Sequence, residues 1–286
     1  MSAPDDDAAI REALACVLPG FRTDPGPFRY RLLDGGINKR SFLVSVHEQH
    51  YVLRRPVRGT SGLLDLATEA QVMKSAAAAG LAPRVVGADP SSGLLLTEYL
   101  AGALPWSAAI AREPHNIRRA AKLLRSLHLV PVALPKFAAA EVAERYVAAL
   151  GYLEPEVAKW AEELTRLARD YDKSHAGEAL CHNDLVAHNV LDDGGLMLVD
   201  FEYAVCGAPI LDLAGLAGMN DYTQLQRSEL LAAYYPRAAP FTAGQFDDMV
   251  RMVRLMAFFW ALIGERQVAD ARAYSQFAAR MVEALK

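Results

Sequence analysis

The chain has 286 residues, of which 52% are hydrophobic and 22% are charged. This composition is typical of a folded globular protein and excludes a disordered or fibrous one, and the length allows one large domain or two lobes around a sizeable core. Thirty basic and thirty-four acidic side chains give a net charge of −4. That balance argues against a dedicated nucleic-acid-binding protein, because such proteins usually carry a basic excess.

The sequence also carries information about the cellular compartment. Residues 1–10, MSAPDDDAAI, place three acids where a secretory signal carries basic residues. The longest strongly apolar stretch near the C-terminus, residues 255–263, is about half of a membrane span. Cys16, Cys181 and Cys206 are too few and too scattered for a disulfide framework. We therefore expect a cytoplasmic protein without membrane insertion.

The first third of the chain predicts strands around one helix. Phe42, Val44 and Val46 alternate as in a half-buried strand, and residues 51–54 form a partner strand after the polar turn 47–50.

A helix is predicted next from apolar residues at helical spacing, and Gly80 ends it. The residues of its apolar face are Leu66, Ala70, Met73 and Ala77. Two further strands, 84–88 and 94–99, flank the turn 89–93.

From about residue 102 onward, helical patterns dominate. They occupy roughly residues 117–127, 138–150, 155–170, 224–235 and 243–284. One short β-like segment, residues 189–200, interrupts them. The predicted fold class is therefore α+β with two lobes, a small β-rich N-terminal lobe over residues 1–100 and a larger helical C-terminal lobe over residues 101–286.

The strongest chemical signal is the segment 181–191, CHNDLVAHNVL, followed by LVDFE at 198–202. If the hairpin between them turns at 193–194, Asn189 and Asp200 lie within about one residue of being opposite each other. Directly paired side chains have Cβ atoms roughly 4.5–5.5 Å apart. The amide and carboxylate oxygens thus converge on one point, and they are ligands that Mg²⁺ prefers.

Asp184 lies five residues before Asn189, on the loop that leads into the same strand. Alone, each of these side chains is typical of a strand end, a turn or a cap. All three at this spacing, with His182 two residues before Asp184, favour a functional site. The phosphate-binding P-loop GxxxxGK[ST] is absent from the sequence, as are HExxH, GxSxG and GxGxxG.

The arrangement resembles the catalytic loop and metal-binding segment of the protein-kinase-like fold, H-x-D-x-x-x-x-N followed by D-F-G or an equivalent. The forms HND and DFEYA are similar to the choline/ethanolamine kinase and aminoglycoside phosphotransferase superfamily, and within it to the bacterial choline-kinase-type and thiamine-kinase-type branch. The resemblance extends from about residue 30 to 265. It implies ATP and Mg²⁺ as cofactors, catalytic Asp184, Asn189 and Asp200 with the last two as metal ligands, and Asp212 as a structural brace of the loop.

A nucleotide loop is implied by the same resemblance. Residues 34–42 resemble the family's GG-x-x-N/T-x-x-Y/F loop, although Asn38 comes one residue early for that spacing. Glycines there let backbone amides approach phosphate oxygens closely. The nucleotide-binding residues implied in this loop are Gly35, Gly36, Asn38 and Ser41.

The remaining nucleotide site lies on the strands and the first helix. Arg54 occupies the position of the strand-three lysine of protein kinases, and its fork can bind phosphate oxygens in a bidentate manner; the adjacent Arg55 should face the other way. Glu69 lies on or beside the buried face of its helix, where a carboxylate needs a partner. The resemblance nominates Arg54, and a solvated Glu69 is the alternative. Backbone groups at Glu98 and Tyr99, where the lobes join, are implied to hold adenine.

The substrate is less defined by the sequence. Candidates to bind it, besides Asp184, are Glu202, Tyr203, Trp260 and Glu265, since an aromatic ring near a carboxylate can recognise an amine. Trp260 and Glu265 are about 140° apart on a helix and do not share a face, and Trp260 fits core spacing equally well. We expect phosphorylation of a small cationic alcohol, first choline or ethanolamine. Thiamine, then an aminoglycoside or sugar, and a non-catalytic nucleotide-binding protein are the alternatives.

Overall fold

The computed structural model describes residues 4–21, 28–33, 39–56, 66–131, 133–175, 179–268 and 271–286. The N-terminal part contains α1 (Pro4–Val17), β1 (Phe28–Leu33), β2 (Lys39–Val46), β3 (Gln49–Pro56), α2 (Leu66–Ala78), β4 (Val85–Asp89) and β5 (Leu94–Glu98). The five strands form one antiparallel sheet in the order β1-β2-β3-β5-β4. The turn between β2 and β3 is tighter than predicted, because the strands extend to Val46 and Gln49 and His47 takes a left-handed conformation (φ 56°).

The two faces of this sheet have different partners. Phe42 and Leu53 lie opposite each other and are buried against α1, a helix that the sequence patterns did not predict. Ser41 and Arg54, one residue along each strand, are also directly opposite and therefore point to the other face. Strand alternation thus places Arg54 away from α1.

The C-terminal part is mainly helical. It contains β6 (Leu104–Pro105), α3 (Ala108–Ala111), α4 (Pro114–Leu127), α5 (Ala139–Leu150), α6 (Pro155–Ser174), β7 (Ala179–Cys181), a 3-10 turn (Ala187–Asn189), β8 (Val190–Asp192), β9 (Leu196–Leu198), β10 (Val205–Gly207), α7 (Pro209–Met219), α8 (Gln224–Tyr234), α9 (Ala243–Gln267) and α10 (Arg272–Leu285). Among the described residues, no helix combines the length and apolar character needed to cross a membrane. The predicted α+β class with a small β-rich part and a larger helical part is confirmed.

Helix α7 is the centre of the C-terminal part. Every residue from 210 to 219 is buried, so the helix is apolar on all sides and shows no amphipathic period. This is why the sequence patterns did not predict it. The short strands β6, β7 and β10, two or three residues each, are below the length at which alternation can be recognised.

The prediction of one helical segment over 243–284 is wrong, because the chain forms α9 and α10 and reverses between them. The Tyr274 ring, at the start of α10, packs against Gly264 near the end of α9. At the other end of α10, the Leu285 carbonyl accepts a hydrogen bond from Arg251 Nη1 at 2.8 Å. The two helices are therefore antiparallel neighbours, and both bury their apolar faces.

We expect Gly264→Ala to lower the free energy of unfolding by roughly 1–3 kcal/mol, as overpacking of a core does. A Cβ at Gly264 would lie 2.0 Å from Cε1 of the buried Tyr274 ring. Gly215→Ala in α7 is the matched control, since its Cβ would meet no atom within 4 Å, and it should stabilise by about 0.5–1 kcal/mol. Urea denaturation of both variants tests this, and equal effects at the two positions would contradict the packing described.

Candidate active site

The start of the loop 182–189, which we call the catalytic loop, is fixed by the buried carboxylate of Asp212 on α7. Its Oδ2 accepts the amide of His182 at 2.8 Å and its Oδ1 accepts the amide of Asn183 at 2.8 Å. His128 Nε2 lies 3.1 Å from Oδ2, and His128 Nδ1 lies 2.7 Å from the hydroxyl of Tyr234. The predicted brace is present, and His128 and Tyr234 extend it to α4 and α8.

The end of the catalytic loop is held by a residue that the sequence analysis missed, Asn220. Its Oδ1 accepts the amide of Ala187 at 2.9 Å, and its Nδ2 donates to the carbonyls of Leu185 at 2.9 Å and Leu216 at 2.8 Å. Asn220 is 1% exposed and ends α7. Both ends of the loop are therefore attached to one helix. No sequence pattern indicated Asn220, because α7 itself was not predicted.

His182 connects the catalytic loop to the segment after β9. Its Nδ1 accepts the amide of Asp184 at 3.3 Å, so the proton is on Nε2, which donates to the carbonyl of Val199 at 2.9 Å. The ring lies against Phe201 with centroids 4.6 Å apart. Burial lowers the pKa of His182, so the imidazole is neutral and acts as a structural link.

The hairpin β8–β9 brings Asn189 close to Asp200. Val190 pairs with Leu198, so Asn189 lies opposite Val199, whose amide donates to the Asn189 carbonyl at 3.0 Å. Asp200 follows directly, in a left-handed conformation (φ 67°). The register agrees with the predicted offset of about one residue between Asn189 and Asp200.

Asn189 also orients Asp184. Its Nδ2 donates to the Asp184 carbonyl at 2.9 Å and to Asp184 Oδ2 at 3.0 Å. Because the amide group is planar, the oxygen Oδ1 is directed away from Asp184. Asn189 is 3% exposed, whereas Asp184 lines the cavity described below.

Arg54 joins three segments that are distant in sequence. Its Nη1 donates to Glu69 Oε1 on α2 at 2.6 Å, and its Nη2 donates to Asp200 Oδ1. Arg54 and Glu69 are both buried, so the alternative of a solvated Glu69 is wrong. Ser41, directly opposite Arg54, is half-buried on the same face of the sheet.

Three carboxylates lie close together at this point, namely Asp184, Asp200 and Glu202. Burial and the negative charges of Asp200 and Glu202 raise the pKa of Asp184 to about 8, against the hydrogen bond from Asn189 and the charge of Arg54. Such a cluster of hard oxygen atoms fits a divalent cation, which would relieve the mutual repulsion. The residues that could hold Mg²⁺ are Asn189, through Oδ1, and Asp200.

The cluster opens into a cavity of about 240 Å³. Its polar lining includes Asn183, Asp184, His188, Asp200 and Glu202, and its aromatic lining consists of Phe137, Tyr146, Tyr203, Trp260 and Phe277. Four of the five predicted substrate-binding residues therefore line one cavity. The fifth, Glu265, is not among the lining residues, which agrees with its position on a different side of α9 from Trp260.

The aromatic wall comes from five separate segments of the C-terminal part. The centroid of the Trp260 ring lies 5.7 Å from that of Phe277 on α10 and 5.2 Å from that of Tyr274. The Trp260 side chain also forms a hydrogen bond with the Tyr203 hydroxyl. Trp260 is half-buried and borders the cavity, so it is not enclosed in the core. Tyr146 and Phe277 were missed, because helical spacing alone does not show which aromatic side chains will share a cavity.

The predicted adenine segment joins the two parts of the chain. The amide of Glu98 donates to the Arg84 carbonyl at 2.9 Å, and the amide of Tyr99 donates to the His50 carbonyl at 3.1 Å. These two amides are therefore engaged within the sheet. Residues 34–38, with Gly35, Gly36 and Asn38, lie outside the described residues.

The comparisons with known proteins agree with this geometry. The model of the phosphotransferase enzyme family matches residues 29–244, whereas no curated protein matches significantly. A choline/ethanolamine kinase family protein from Mesorhizobium loti is 28% identical, covering 97% of this chain and 94% of that chain (TM-score 0.77).

Two structures of one further protein share the fold. The choline kinase LicA from Streptococcus pneumoniae is 20% identical over 98% of this chain and 99% of that chain, with a TM-score of 0.81. The structure of LicA in complex with AMP is 20% identical over 97% of this chain and 96% of that chain, with a TM-score of 0.78.

We expect Arg54→Lys to lower the free energy of unfolding by roughly 1–3 kcal/mol, because an ammonium cannot serve Glu69 and Asp200 with the same fork and leaves a buried acceptor without its bond. Arg55→Lys on the same strand is the control and should stay within about 0.5 kcal/mol. Urea denaturation measures both. Equal stability of Arg54→Lys and the parent would contradict the bridging role.

Proposed function

Because the chain belongs to the phosphotransferase enzyme family, we propose that it transfers the γ-phosphoryl group of ATP to the hydroxyl of a small cationic alcohol, with choline or ethanolamine as first choice. The observation that carries this proposal is the cavity in which Asp184 and Asp200 face Glu202 and an aromatic wall. A reactive carboxylate and a site for an ammonium group are thus neighbours.

Asp184 is the residue that receives the alcohol. Its carboxylate accepts a hydrogen bond from the substrate hydroxyl, aligns the oxygen with the γ-phosphorus and takes the proton late in the reaction. The bonds from Asn189 to its Oδ2 and carbonyl keep the group in one orientation, and alignment supplies much of the reduction of the barrier. Asn189 and Asp200 would hold Mg²⁺, which would supply charge neutralisation for the phosphate oxygens.

ATP occupies the cleft between the sheet and the C-terminal part in this proposal. Arg54 and Ser41 share the face of the sheet opposite α1, and Arg54 also contacts Asp200. Gly35, Gly36 and Asn38, which lie outside the described residues, remain the predicted phosphate-binding residues of the loop, and backbone groups at Glu98 and Tyr99 hold adenine. The AMP complex of LicA, which has the same fold, supports a nucleotide here.

The alcohol is chosen by size and charge. The cavity of about 240 Å³ is smaller than the roughly 300–1,000 Å³ of sites for drug-sized ligands, which favours choline or ethanolamine over an aminoglycoside. Trp260, Tyr203 and Glu202 offer aromatic faces and a carboxylate to an ammonium group. Thiamine remains the second choice. We place the reaction in the cytoplasm, in keeping with cysteines that lack the spacing of a disulfide framework.

A panel assay tests the function. With Mg²⁺ and ATP, we expect ADP release to depend on choline or ethanolamine, more weakly on thiamine and not on kanamycin. Asp184→Asn should retain Mg-ATP binding and lose roughly 100- to 10,000-fold in turnover, because the acceptor of the proton is gone. Preferred turnover of kanamycin would refute the substrate class, and full activity of Asp184→Asn would refute the assigned role.

Trp260→Leu should raise KM for choline about 3- to 30-fold, the size of a lost cation–π contact, and leave KM for Mg-ATP unchanged. Trp160→Leu is the matched control, since Trp160 packs against Phe258, with centroids 5.1 Å apart, and neither residue lines the cavity. Steady-state kinetics with each substrate varied separates the two constants. The same KM for choline in both variants would place the ammonium group elsewhere.

A further inference from the structure

One polar side chain of the catalytic loop, His188, has no role in the mechanism above, although it lines the cavity. His188 lies in the loop between Asp184 and Asn189 and lines the cavity together with Asp184 and Asp200. Its neighbours point inward, since Ala187 is 6% and Asn189 3% exposed, whereas the His188 side chain is exposed.

The backbone at His188 is fixed on both sides. The amide of Ala187 is bound by Asn220, and the amide of Asn189 donates to the Val186 carbonyl at 3.0 Å. The Asn189 side chain is bound to Asp184 in addition. The imidazole is thus presented to the cavity by the same framework that holds Asp184, and its ring nitrogens make no hydrogen bond to the part of the chain that the structure describes.

The cavity is bordered by negative charges, so a phosphoryl group in it requires a hydrogen-bond donor near His188. Asp184, Asp200 and Glu202 border the space in which a neutral hydroxyl becomes a phosphate ester, which carries about −1.5 to −2 charges. Arg54 serves the nucleotide side, where it is already shared between Glu69 and Asp200. His188 lies near enough to Asp200 for that charge to act on its ring, and the imidazole brings an N–H donor to the acceptor side.

We propose that His188 donates a hydrogen bond from its imidazole N–H to an oxygen of the phosphoryl group that is transferred. The inference rests on the proposed function and adds a residue for which the mechanism gave no task. Donors directed at an oxygen where charge develops are among the largest single contributions to catalysis.

His188 is chemically unchanged by the transfer of the phosphoryl group. A bond forms between the alcohol oxygen and the γ-phosphorus, and the bond from that phosphorus to the β–γ bridging oxygen breaks. ADP leaves with the electron pair of the broken bond, and the hydroxyl proton passes to Asp184 and then to solvent. His188 keeps its proton throughout and only directs it to a phosphoryl oxygen.

The first test is turnover with the alcohol that the panel assay identifies. His188→Ala should lower kcat about 100- to 1,000-fold with KM for alcohol and for Mg-ATP within a factor of two. His188→Gln, which retains an N–H donor, should recover part of the loss. His115→Ala is the matched control, because His115 is an exposed histidine on α4, and it should behave as the parent. Unchanged kcat in His188→Ala overturns the inference, as does a raised KM for the alcohol alone.

The second test requires no alcohol. Fluoroaluminate bound with Mg-ADP imitates the transferred phosphoryl group, so it should tighten the calorimetric Kd of Mg-ADP for the parent and for His115→Ala. His188→Ala should lose about 10-fold or more of that tightening and bind Mg-ADP alone as the parent does. If no alcohol of the panel reacts but this loss is observed, the proposed substrate is wrong and the inference stands. If the parent shows no tightening, the inference is overturned.

Discussion

The candidate active site depends on a buried carboxylate that accepts hydrogen bonds from backbone amides. Asp212 is fully buried, and a buried charge is costly unless it is bonded. Here the amides of His182 and Asn183 and the ring of His128 supply these bonds. Asn183 is in a left-handed conformation (φ 60°), which an Asn tolerates but which its surroundings must hold in place. Asp212 therefore fixes the backbone turn from which Asp184 extends.

A second constraint acts across the two parts of the chain. Arg54 binds Asp200, the other left-handed residue of the site, and Glu69 of α2 at the same time. Nearby, the amide of Leu198 donates to the carbonyl of Leu81 at 2.7 Å, so the hairpin β8–β9 is attached to the segment after α2. The position of the candidate metal ligand Asp200 thus depends on the sheet, on α2 and on the segment after α2 together.

The parts of the site that the sequence predicted are those in which residue type and spacing reflect local geometry. Asn189 and Asp200 follow from one tight hairpin. A carboxylate on a buried helix face indicated that Glu69 needs a partner, and the family resemblance named Arg54 as that partner. Asn220 and the single-helix error over 243–284 show the opposite case. Asn220 acts on a loop 33 to 35 residues away through a helix without amphipathic period. The reversal between α9 and α10 depends on the packing of Tyr274 at Gly264, which a periodic pattern does not contain.

The polar and the aromatic side of the cavity also differ in how far the sequence predicts them. The region matched by the family model ends at residue 244 and contains Arg54, Asp184 and Asp200, the side chains to which the proposal assigns phosphoryl transfer. Trp260 and Phe277, beyond that limit, form much of the aromatic wall. Tertiary packing of α9 and α10 therefore supplies part of the wall proposed to bind the alcohol, together with Phe137, Tyr146 and Tyr203 from the matched region. In contrast, Asp184 lies on a short loop that α7 holds at both ends. The proposed chemistry can consequently be inferred from motifs, whereas the choice of the proposed alcohol also depends on how α9 and α10 pack.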